Sequence, residues 1–333
     1  MADTTDRNLW LGFDLGGTKM LAQVYDDDFK LLGKARKKTK ASADSESGID
    51  RIAGLIDEAL ADAQVTAEQL AGIGIGCPGP VDMDHGVVCD PPNLAWKDVP
   101  VRKLLQQRFP CPVAVLNDVD AGVYGEYRFG AGKKARCVLG IFSGTGIGGG
   151  CVYQGQILTG KRHSCMEIGH IQVTPRGPLC GCGRRGCLEA LASRLAIAAN
   201  AAKCVFRGEA PKLKEIAGTD LMNIRSGAIA QSVKAGDVAI ERLVQEAARH
   251  LGIAVASIVH LLAPDVVVLG GGLVESLPDM ICKIVQEDAR KRVMPAFADE
   301  FKVVVASLGD DAGAMGAAGW AKHVIGEHLA VTE

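Results

Sequence analysis

The chain of 333 residues lacks several features that would mark a membrane, secreted or nucleic-acid-binding protein. It has no run of about eighteen apolar residues, so no transmembrane helix is predicted. Its N-terminus has no basic stretch followed by an apolar one, so we expect no signal peptide and a cytoplasmic location. Acidic and basic residues nearly balance, 39 against 37, which argues against nucleic acid or an anionic membrane as a partner.

Aromatic residues are scarce, at 5%, whereas glycine is abundant, at 41 residues. Such a composition suits tight turns and the close approach of backbone to a ligand. Eleven cysteines, an odd count, are typical of a cytosolic protein with thiols or a metal rather than of a disulfide scaffold. The length favours two domains. We place a smaller α/β domain over 1–120 and a larger one over 121–333, whose last helix is able to pack back on the first domain.

The order of predicted elements repeats in the two halves of the chain. The first half has strands over 10–14, 20–25, 31–39, 73–75 and 112–116, with helices over 49–60 and 101–108. The second half has strands over 137–142, 151–153, 266–269 and 301–306, with helices over 189–206, 237–262, 278–293 and 311–325. The wholly apolar strand over 266–269 is typical of a parallel sheet covered on both faces. The pattern predicts an α/β fold with an internal duplication, the alternative being an accidental resemblance between the halves.

The first chemical motif is a glycine turn between two predicted strands, Asp14-Leu15-Gly16-Gly17-Thr18-Lys19. The glycine pair lets backbone N–H groups approach phosphate oxygens, the threonine adds a hydroxyl, and the aspartate is able to hold a hydrated Mg²⁺. A strand follows the turn, whereas a Walker-type loop opens a helix, so that loop is excluded. The alternative is an ordinary β-hairpin turn in which glycine supplies a positive φ.

A second glycine turn, predicted over 144–150, lies between the first two strands of the second half. Gly144, Gly146 and Gly149 match the pattern G-x-G-x-x-G, but a dinucleotide-binding motif needs a helix next and a strand is predicted. The hairpin alternative applies here too. Two such turns at the same place in both halves favour a pair of phosphate-binding loops that face each other across a cleft.

Three cysteines and one histidine lie within eighteen residues, separated by glycines: His170, Cys180, Cys182 and Cys187. Three thiolates and one imidazole are a common tetrahedral zinc set, and a set with no open position is structural. Free thiols in a loop are the alternative. A nucleic-acid zinc finger is disfavoured, because the cluster occurs once and the chain has no net positive charge.

These motifs, with Asn117-Asp118 and the block from His170 to Glu189, resemble the ROK family of sugar kinases. Within it, Pro91-Pro92-Asn93-Leu94-Ala95-Trp96 looks most like the glucokinases. The similarity runs from about Leu11 to Ala318. It implies a two-domain, actin-like, hexokinase-type fold with duplicated ribonuclease H-like halves. It also implies ATP and Mg²⁺ as co-substrates and transfer of the γ-phosphoryl group to a hexose hydroxyl. The expected reaction is the conversion of glucose to glucose 6-phosphate.

The resemblance also implies roles for single residues. Asp118 takes the position of the catalytic base. The sugar-contacting positions are Pro78, Gly79, Asn93, Asn117, Glu167, His170 and Glu189. The nucleotide and phosphate positions are Asp14, Gly16, Gly17, Thr18, Lys19, Gly144, Thr145, Gly146, Gly270 and Gly271. A structural Zn²⁺ would be held by His170, Cys180, Cys182 and Cys187, and a homodimer is expected.

One departure from the family pattern concerns the expected base. Small residues and an asparagine usually follow Asn-Asp, whereas Val119 and Asp120 follow here. A second carboxylate close to Asp118 would raise the pKa of one of the two, and it leaves open which aspartate acts. Asp118 has a further interpretation as a mere helix cap, because aspartate is favoured at that position.

Other functions fit the same motifs. N-acetylmannosamine, N-acetylglucosamine and fructose kinases are alternatives, as is polyphosphate as the phosphoryl donor. A non-catalytic sugar sensor on the same scaffold and, more distantly, a dinucleotide-linked oxidoreductase are alternatives from other classes. Some members of the family are repressors with an N-terminal helix-turn-helix. About ten residues precede the first predicted strand here, so we expect no such module.

Overall fold

The protein is described by a computed structural model, which covers residues 8–17, 19–39, 45–91, 94–161 and 165–331. The chain divides into two compact units. The first comprises the residues up to Lys133, the segment 155–165 and the residues from Asp310 onward, and the second comprises 134–154 and 166–309. The domain boundary predicted at residue 120 falls inside a helix of the first unit, and the C-terminal helix belongs to that unit.

The structure contains twelve strands and eleven α-helices within the described residues. The strands are β1 (Leu9–Leu15), β2 (Lys19–Tyr25), β3 (Leu31–Lys38), β4 (Leu70–Cys77), β5 (Val81–Asp82), β6 (Val87–Val88), β7 (Val113–Asn117), β8 (Cys137–Ser143), β9 (Ile147–Tyr153), β10 (Gln156–Ile157), β11 (Val266–Gly270) and β12 (Lys302–Val305). The helices are α1 (Ser45–Ala63), α2 (Val101–Gln106), α3 (Asp118–Arg128), α4 (Leu188–Ala192), α5 (Arg194–Phe206), α6 (Pro211–Ala217), α7 (Ser226–Lys234), α8 (Val238–Leu262), α9 (Gly272–Ser276), α10 (Pro278–Arg290) and α11 (Ala312–Val331).

The sheet of the first unit has the strand order β3-β2-β1-β4-β7. Strands β1 and β2 form an antiparallel hairpin, and β4 and β7 run parallel to β1. The register pairs Asp14 with Gly76 and Cys77 with Asn117, so β1, β4 and β7 end at one edge of the sheet. Because carboxyl ends of parallel strands are the usual place for ligands in α/β proteins, this edge is where a site is expected.

Helix α11 packs against α3, β1 and β4 with almost no side-chain bulk between the backbones. A Cβ atom added at Gly12 or at Gly74 would lie 1.8 Å from the carbonyl oxygen of Ala314 or of Ala317, respectively. Glycine is therefore required at both strand positions. On helix α1, the predicted apolar stripe of Ile49, Ile52, Ile56 and Leu60 is buried, which confirms the helix predicted there.

Strands of the second unit follow the order β9-β8-β11-β12, with an antiparallel β8–β9 hairpin and with β11 and β12 parallel to β8. This arrangement is the same as that of β2-β1-β4-β7 in the first unit. The predicted duplication is therefore confirmed at the level of topology. Within the described residues, no helix is both long and apolar enough to cross a bilayer.

Two predicted elements differ from the structure. The helix predicted over 189–206 is interrupted at Ser193, whose backbone is extended and whose hydroxyl accepts a hydrogen bond from the Ala196 N–H at 3.1 Å. Serine there caps α5 and so ends α4. The glycine turn predicted over 144–150 is shorter, because β9 already begins at Ile147. Helices α6 and α7 lie in 207–236, where the sequence patterns predicted no element.

Candidate active site and metal centre

The first unit brings acidic residues together at the carboxyl edge of its sheet. Asp14 lies near the end of β1, and Asp118 follows the last residue of β7. Burial raises the pKa of the Cys77 thiol, at the end of β4, well above its usual range, and the negative charges of Asp118 and Asp14 raise it further. The strand register, which pairs Asp14 with Gly76 and Cys77 with Asn117, places both aspartates at this edge of the sheet.

Asn117 caps helix α3, so Asp118 is not needed as the cap. The Asn117 Oδ1 atom accepts hydrogen bonds from the backbone N–H groups of Val119, at 2.9 Å, and Asp120, at 3.2 Å. One carboxylate oxygen of Asp118 also accepts from the Val119 N–H, at 2.9 Å. An asparagine with extended backbone that binds the second and third N–H groups is a complete N-cap. The interpretation of Asp118 as a mere cap is therefore disfavoured.

The two aspartates at the start of α3 differ in exposure. Asp120 is 1% exposed, whereas Asp118 is half-buried. A ligand can reach the carboxylate of Asp118 but not that of Asp120 without rearrangement. Of the predicted sugar-contacting residues in this unit, Gly79 lies beside Asn117, because a Cβ added at Gly79 would be 2.7 Å from the Asn117 Nδ2 atom. Pro78 precedes Gly79 just after β4, whereas Asn93 lies outside the described residues.

In the first unit, the glycine turn is contacted at Gly16, before its second glycine, and at Lys19, the first residue of β2. The Thr39 hydroxyl donates to the carbonyl oxygen of Gly16 at 2.6 Å. The ammonium group of Lys19 forms an ion pair with Asp310, which Arg36 also approaches at 3.5 Å. The sequence patterns did not identify Asp310 as the partner of Lys19. Gly17 belongs to the same turn, and Thr18 lies outside the described residues.

Asp14 is packed against the first turn of α11. A Cβ added at Gly313 would lie 2.9 Å from the Asp14 Cγ atom. The pKa of Asp14 is raised to about 6. Loss of hydration is the main cause, the positive charge of Lys19 acts against it, and the negative charge of Asp310 adds to it. At pH 7 the carboxylate is mostly ionised and is a suitable ligand for hydrated Mg²⁺.

The raised pKa of Asp14 predicts a dependence of stability on pH. A carboxyl group whose pKa is higher in the folded than in the unfolded state favours folding below its unfolded pKa, and this contribution is lost as the pH rises through about 6. We therefore expect Asp14→Asn to raise the free energy of unfolding by about 2 kcal/mol at pH 8 and by much less at pH 4. Urea denaturation in the absence of divalent cations checks this. An equal effect at both pH values would contradict the prediction.

The glycine turn of the second unit joins the two strands of the β8–β9 hairpin, but neither Gly144 nor Gly146 has a positive φ, so backbone conformation does not explain glycine at these positions. A Cβ added at Gly146 would lie 2.3 Å from the Glu189 Oε2 atom, which excludes a larger residue. At Gly144 an added Cβ would meet nothing within 4 Å. Gly144 is exposed, but its N–H donates to the carbonyl oxygen of Gly146 at 2.8 Å and its own carbonyl oxygen accepts from the Arg194 N–H at 3.1 Å.

Gly270 and Gly271 lie beside this turn within the second unit. Gly270 ends β11 and pairs with Phe142 of the parallel strand β8. Gly271 has a φ of 106°, and a Cβ there would lie 2.0 Å from the carbonyl oxygen of Ser143. The two predicted nucleotide segments are thus neighbours, and glycine at position 271 is needed for both its backbone conformation and its close packing.

The four predicted metal ligands form one cluster. The ligating atoms of His170, Cys180, Cys182 and Cys187 all lie within 4.8 Å of one another. The Cys180 Sγ to His170 Nδ1 distance and the Cys182 Sγ to Cys187 Sγ distance are both 3.7 Å. Bonds of about 2.3 Å from a tetrahedral zinc ion place two sulfur atoms about 3.8 Å apart. The donor set and its spacing therefore fit a structural zinc ion.

Glu189 connects this cluster with the glycine turn. Its Oε2 atom accepts a hydrogen bond from the Ile147 N–H at 3.0 Å, and its Oε1 atom lies 3.7 Å from the Cys180 Sγ atom. Glu167 precedes a single 3-10 turn that ends at His170, and both side chains are exposed. The predicted sugar-contacting residues of the second unit thus lie within or next to the metal cluster.

Arg194 is a functional candidate that the sequence patterns did not identify. It is the first residue of α5, and its guanidinium donates a hydrogen bond to the Thr145 hydroxyl at 2.9 Å. Its backbone N–H donates to the carbonyl oxygen of Gly144 at 3.1 Å. Ser193, a favoured N-cap residue, could have indicated that a new helix begins at Arg194. The continuous helical pattern instead predicted a single helix over 189–206.

Comparison with known proteins gives consistent results. The model of the ROK family matches residues 10–324. The chain is 35% identical to a glucokinase from Thermotoga maritima over 95% of this chain and 98% of that protein. It is 30% identical to a xylose repressor from Caldicellulosiruptor bescii over 92% of this chain and 76% of the repressor.

The crystal structure of a ROK family glucokinase from Streptomyces griseus in complex with glucose and AMPPNP has a similar fold. The TM-score is 0.81 at 31% identity, with 95% of this chain and 99% of that chain covered. This similarity confirms the actin-like, hexokinase-type α/β fold that the sequence predicted.

Proposed function

Because the chain belongs to the ROK family, we propose that it catalyses ATP-dependent phosphorylation of glucose to glucose 6-phosphate. The similarity to glucokinases over nearly the full length of both chains supports a hexokinase-type sugar kinase. The observation that carries the residue assignment is the cap of α3. Asn117 caps the helix, so Asp118 is not needed for that role, and its half-buried side chain lies at the sheet edge where a ligand is expected.

In the proposed reaction, Asp118 accepts the proton of the attacking sugar hydroxyl. Phosphoryl transfer passes through a loose transition state, so it depends on alignment of the hydroxyl and on neutralisation of phosphate charge. A carboxylate within hydrogen-bond reach of the hydroxyl aligns it and removes its proton as the bond to phosphorus forms. Asp120 does not take this role in the proposal, because its side chain is enclosed.

The sugar is held by groups that suit a polyhydroxyl ligand. Glu167 and Glu189 accept hydrogen bonds from hydroxyls, and Asn117 offers the donors of its Nδ2 group, because its Oδ1 atom caps α3. His170 contributes one ring nitrogen to the sugar while the other faces the metal cluster. A Zn²⁺ held by His170 and the three cysteines would supply a rigid cross-link and no reactive water. Its role is to orient His170 and the segment that leads to Glu189.

The phosphates of ATP are assigned to the two glycine turns. Backbone N–H groups of the turns and the Thr145 hydroxyl donate to phosphate oxygens, and Gly270 and Gly271 border the adenosine. Asp14 would hold the Mg²⁺ that accompanies ATP, and Lys19, whose ammonium group is paired with Asp310, belongs to the same turn. Such an Mg²⁺ ion would screen the negative charge of the phosphates.

A coupled ADP-release assay tests the proposed function. Hexoses and N-acetylhexosamines are compared at equal concentration, with ATP and with polyphosphate as donor. We expect glucose with ATP to give the largest kcat/KM. A preference for N-acetylmannosamine, N-acetylglucosamine or fructose would overturn the substrate assignment, and absence of turnover with every sugar would overturn the kinase assignment.

The similarity to a xylose repressor favours a sugar sensor as the second candidate function. A sensor binds sugar without ATP hydrolysis, so isothermal titration with sugar combined with the kinase assay separates the two functions. A homodimer, a cytoplasmic location and the identity of the metal as zinc stay predictions. Light scattering of the purified protein tests the first of these, and elemental analysis tests the last.

A further inference from the structure

The chemistry of the Arg194–Thr145 contact fixes the role of each group in their hydrogen bond. A guanidinium has only donors, so the Thr145 Oγ1 atom must be the acceptor in the 2.9 Å hydrogen bond. The single proton of the hydroxyl then has to be donated elsewhere. Thr145 is exposed, and within the described part of the chain no group accepts the proton of its hydroxyl. Because of this contact, the proton of the Thr145 hydroxyl points away from Arg194 and can be donated to another group.

The charge of Arg194 is not neutralised by a neighbouring acid. No carboxylate forms an ion pair with its guanidinium within the described part of the chain. Its backbone N–H is also engaged, on the carbonyl oxygen of Gly144 at 3.1 Å. Arg194 thus binds Gly144 through its backbone N–H and Thr145 through its guanidinium, and it places a positive charge beside the turn. An anion is the ligand that such an arrangement favours.

We propose that Arg194 is a positioning residue for the nucleotide: it holds the Thr145 hydroxyl as a hydrogen-bond donor to a phosphate group of ATP. The inference rests on the proposed function, because it deepens the assignment of the Gly144–Gly146 turn to ATP. Arg194 acts in two ways. It fixes the direction in which the Thr145 proton is offered, and its charge strengthens the field at the turn.

Single and double substitutions test whether Arg194 acts through Thr145. We expect Arg194→Ala and Thr145→Val each to raise the KM for ATP by about 10-fold or more, since a hydrogen bond to a charged group is lost. The KM for glucose is expected to change less than about 2-fold, because a nucleotide contact carries little of the sugar affinity. The double variant is expected to bind ATP about as weakly as the weaker single variant, because both changes remove one interaction.

Conservative variants and a matched control complete the design. Thr145→Ser keeps the hydroxyl, so its KM for ATP is expected to stay close to that of the parent protein. Arg194→Lys keeps the charge but not the fork of donors and is expected to restore part of the affinity. Arg207→Ala removes another arginine, at the C-terminal end of the same helix, and is expected to leave the KM for ATP unchanged.

Direct binding of ATP, measured by isothermal titration, separates this inference from the proposed function. If the parent protein binds ATP but phosphorylates no sugar, the kinase proposal fails, and the titration of the variants still tests Arg194. An unchanged dissociation constant for ATP in Arg194→Ala would overturn the inference. Independent, multiplying effects of the two substitutions would overturn it as well. If Arg194→Ala does not fold, Arg194→Lys, alone and combined with Thr145→Val, provides the test, and an unchanged dissociation constant for ATP in Arg194→Lys would overturn the inference.

Discussion

Asp118→Asn is expected to lower kcat by about 10²- to 10⁴-fold, the range for loss of a general base. The amide keeps the size and shape of the carboxylate, so the sugar is still expected to bind. The fold is expected to remain stable, because Asn117 caps α3 in the variant as in the parent protein. Single-turnover kinetics with ATP and glucose measure the chemical step, and isothermal titration with glucose measures the retained binding.

Asp120→Asn is the matched comparison for this prediction. Both aspartates lie in the first turn of α3, but only Asp120 is enclosed, at 1% exposure. We expect the Asp120 variant to lose stability and to keep most of its activity at a temperature at which it is folded. Turnover above a few per cent in Asp118→Asn, or a larger loss in Asp120→Asn, would contradict the assignment of the base.

Local patterns predicted the parts of the site that adjacent residues determine. The metal cluster lies within one short segment, so the spacing of its cysteines and glycines was sufficient to identify His170 and Cys180 as neighbours. The strands around both glycine turns were predicted from their apolar runs for the same reason. The order of elements then made the duplicated topology predictable, because the hairpin and its parallel partners recur in sequence order.

Contacts between distant parts of the chain were not predictable in this way. The ion pair of Lys19 with Asp310 depends on how α11 meets the sheet, which no local pattern determines. The contact of Gly146 with Glu189 likewise depends on the packing of α4 against the turn. Arg194 was missed because one helix was predicted where Ser193 separates two. Tertiary packing decided each of these features.

The second large effect is expected from the metal cluster. Cys182→Ser removes one thiolate ligand from an exposed position, so the substitution itself leaves little unfilled space. We expect bound metal to fall from one zinc ion per chain to nearly none, and the free energy of unfolding to fall by about 3 kcal/mol or more. Elemental analysis measures the first quantity and urea denaturation the second. Cys204→Ser, in α5 and outside the cluster, is the control and is expected to keep its metal.

Loss of the metal is also expected to weaken glucose binding, because the ion orients groups that contact the sugar. His170 is a proposed ligand, and Glu189 follows the proposed ligand Cys187 by two residues while its Oε1 atom lies 3.7 Å from the Cys180 Sγ atom. Disorder in the cluster would therefore displace the imidazole and the carboxylate together. Loss of the contacts that orient groups around a metal typically changes affinity or activity by about 10- to 100-fold. If the parent protein is fully active without bound metal, or if Cys182→Ser binds glucose with unchanged affinity, then the cluster does not support the sugar site.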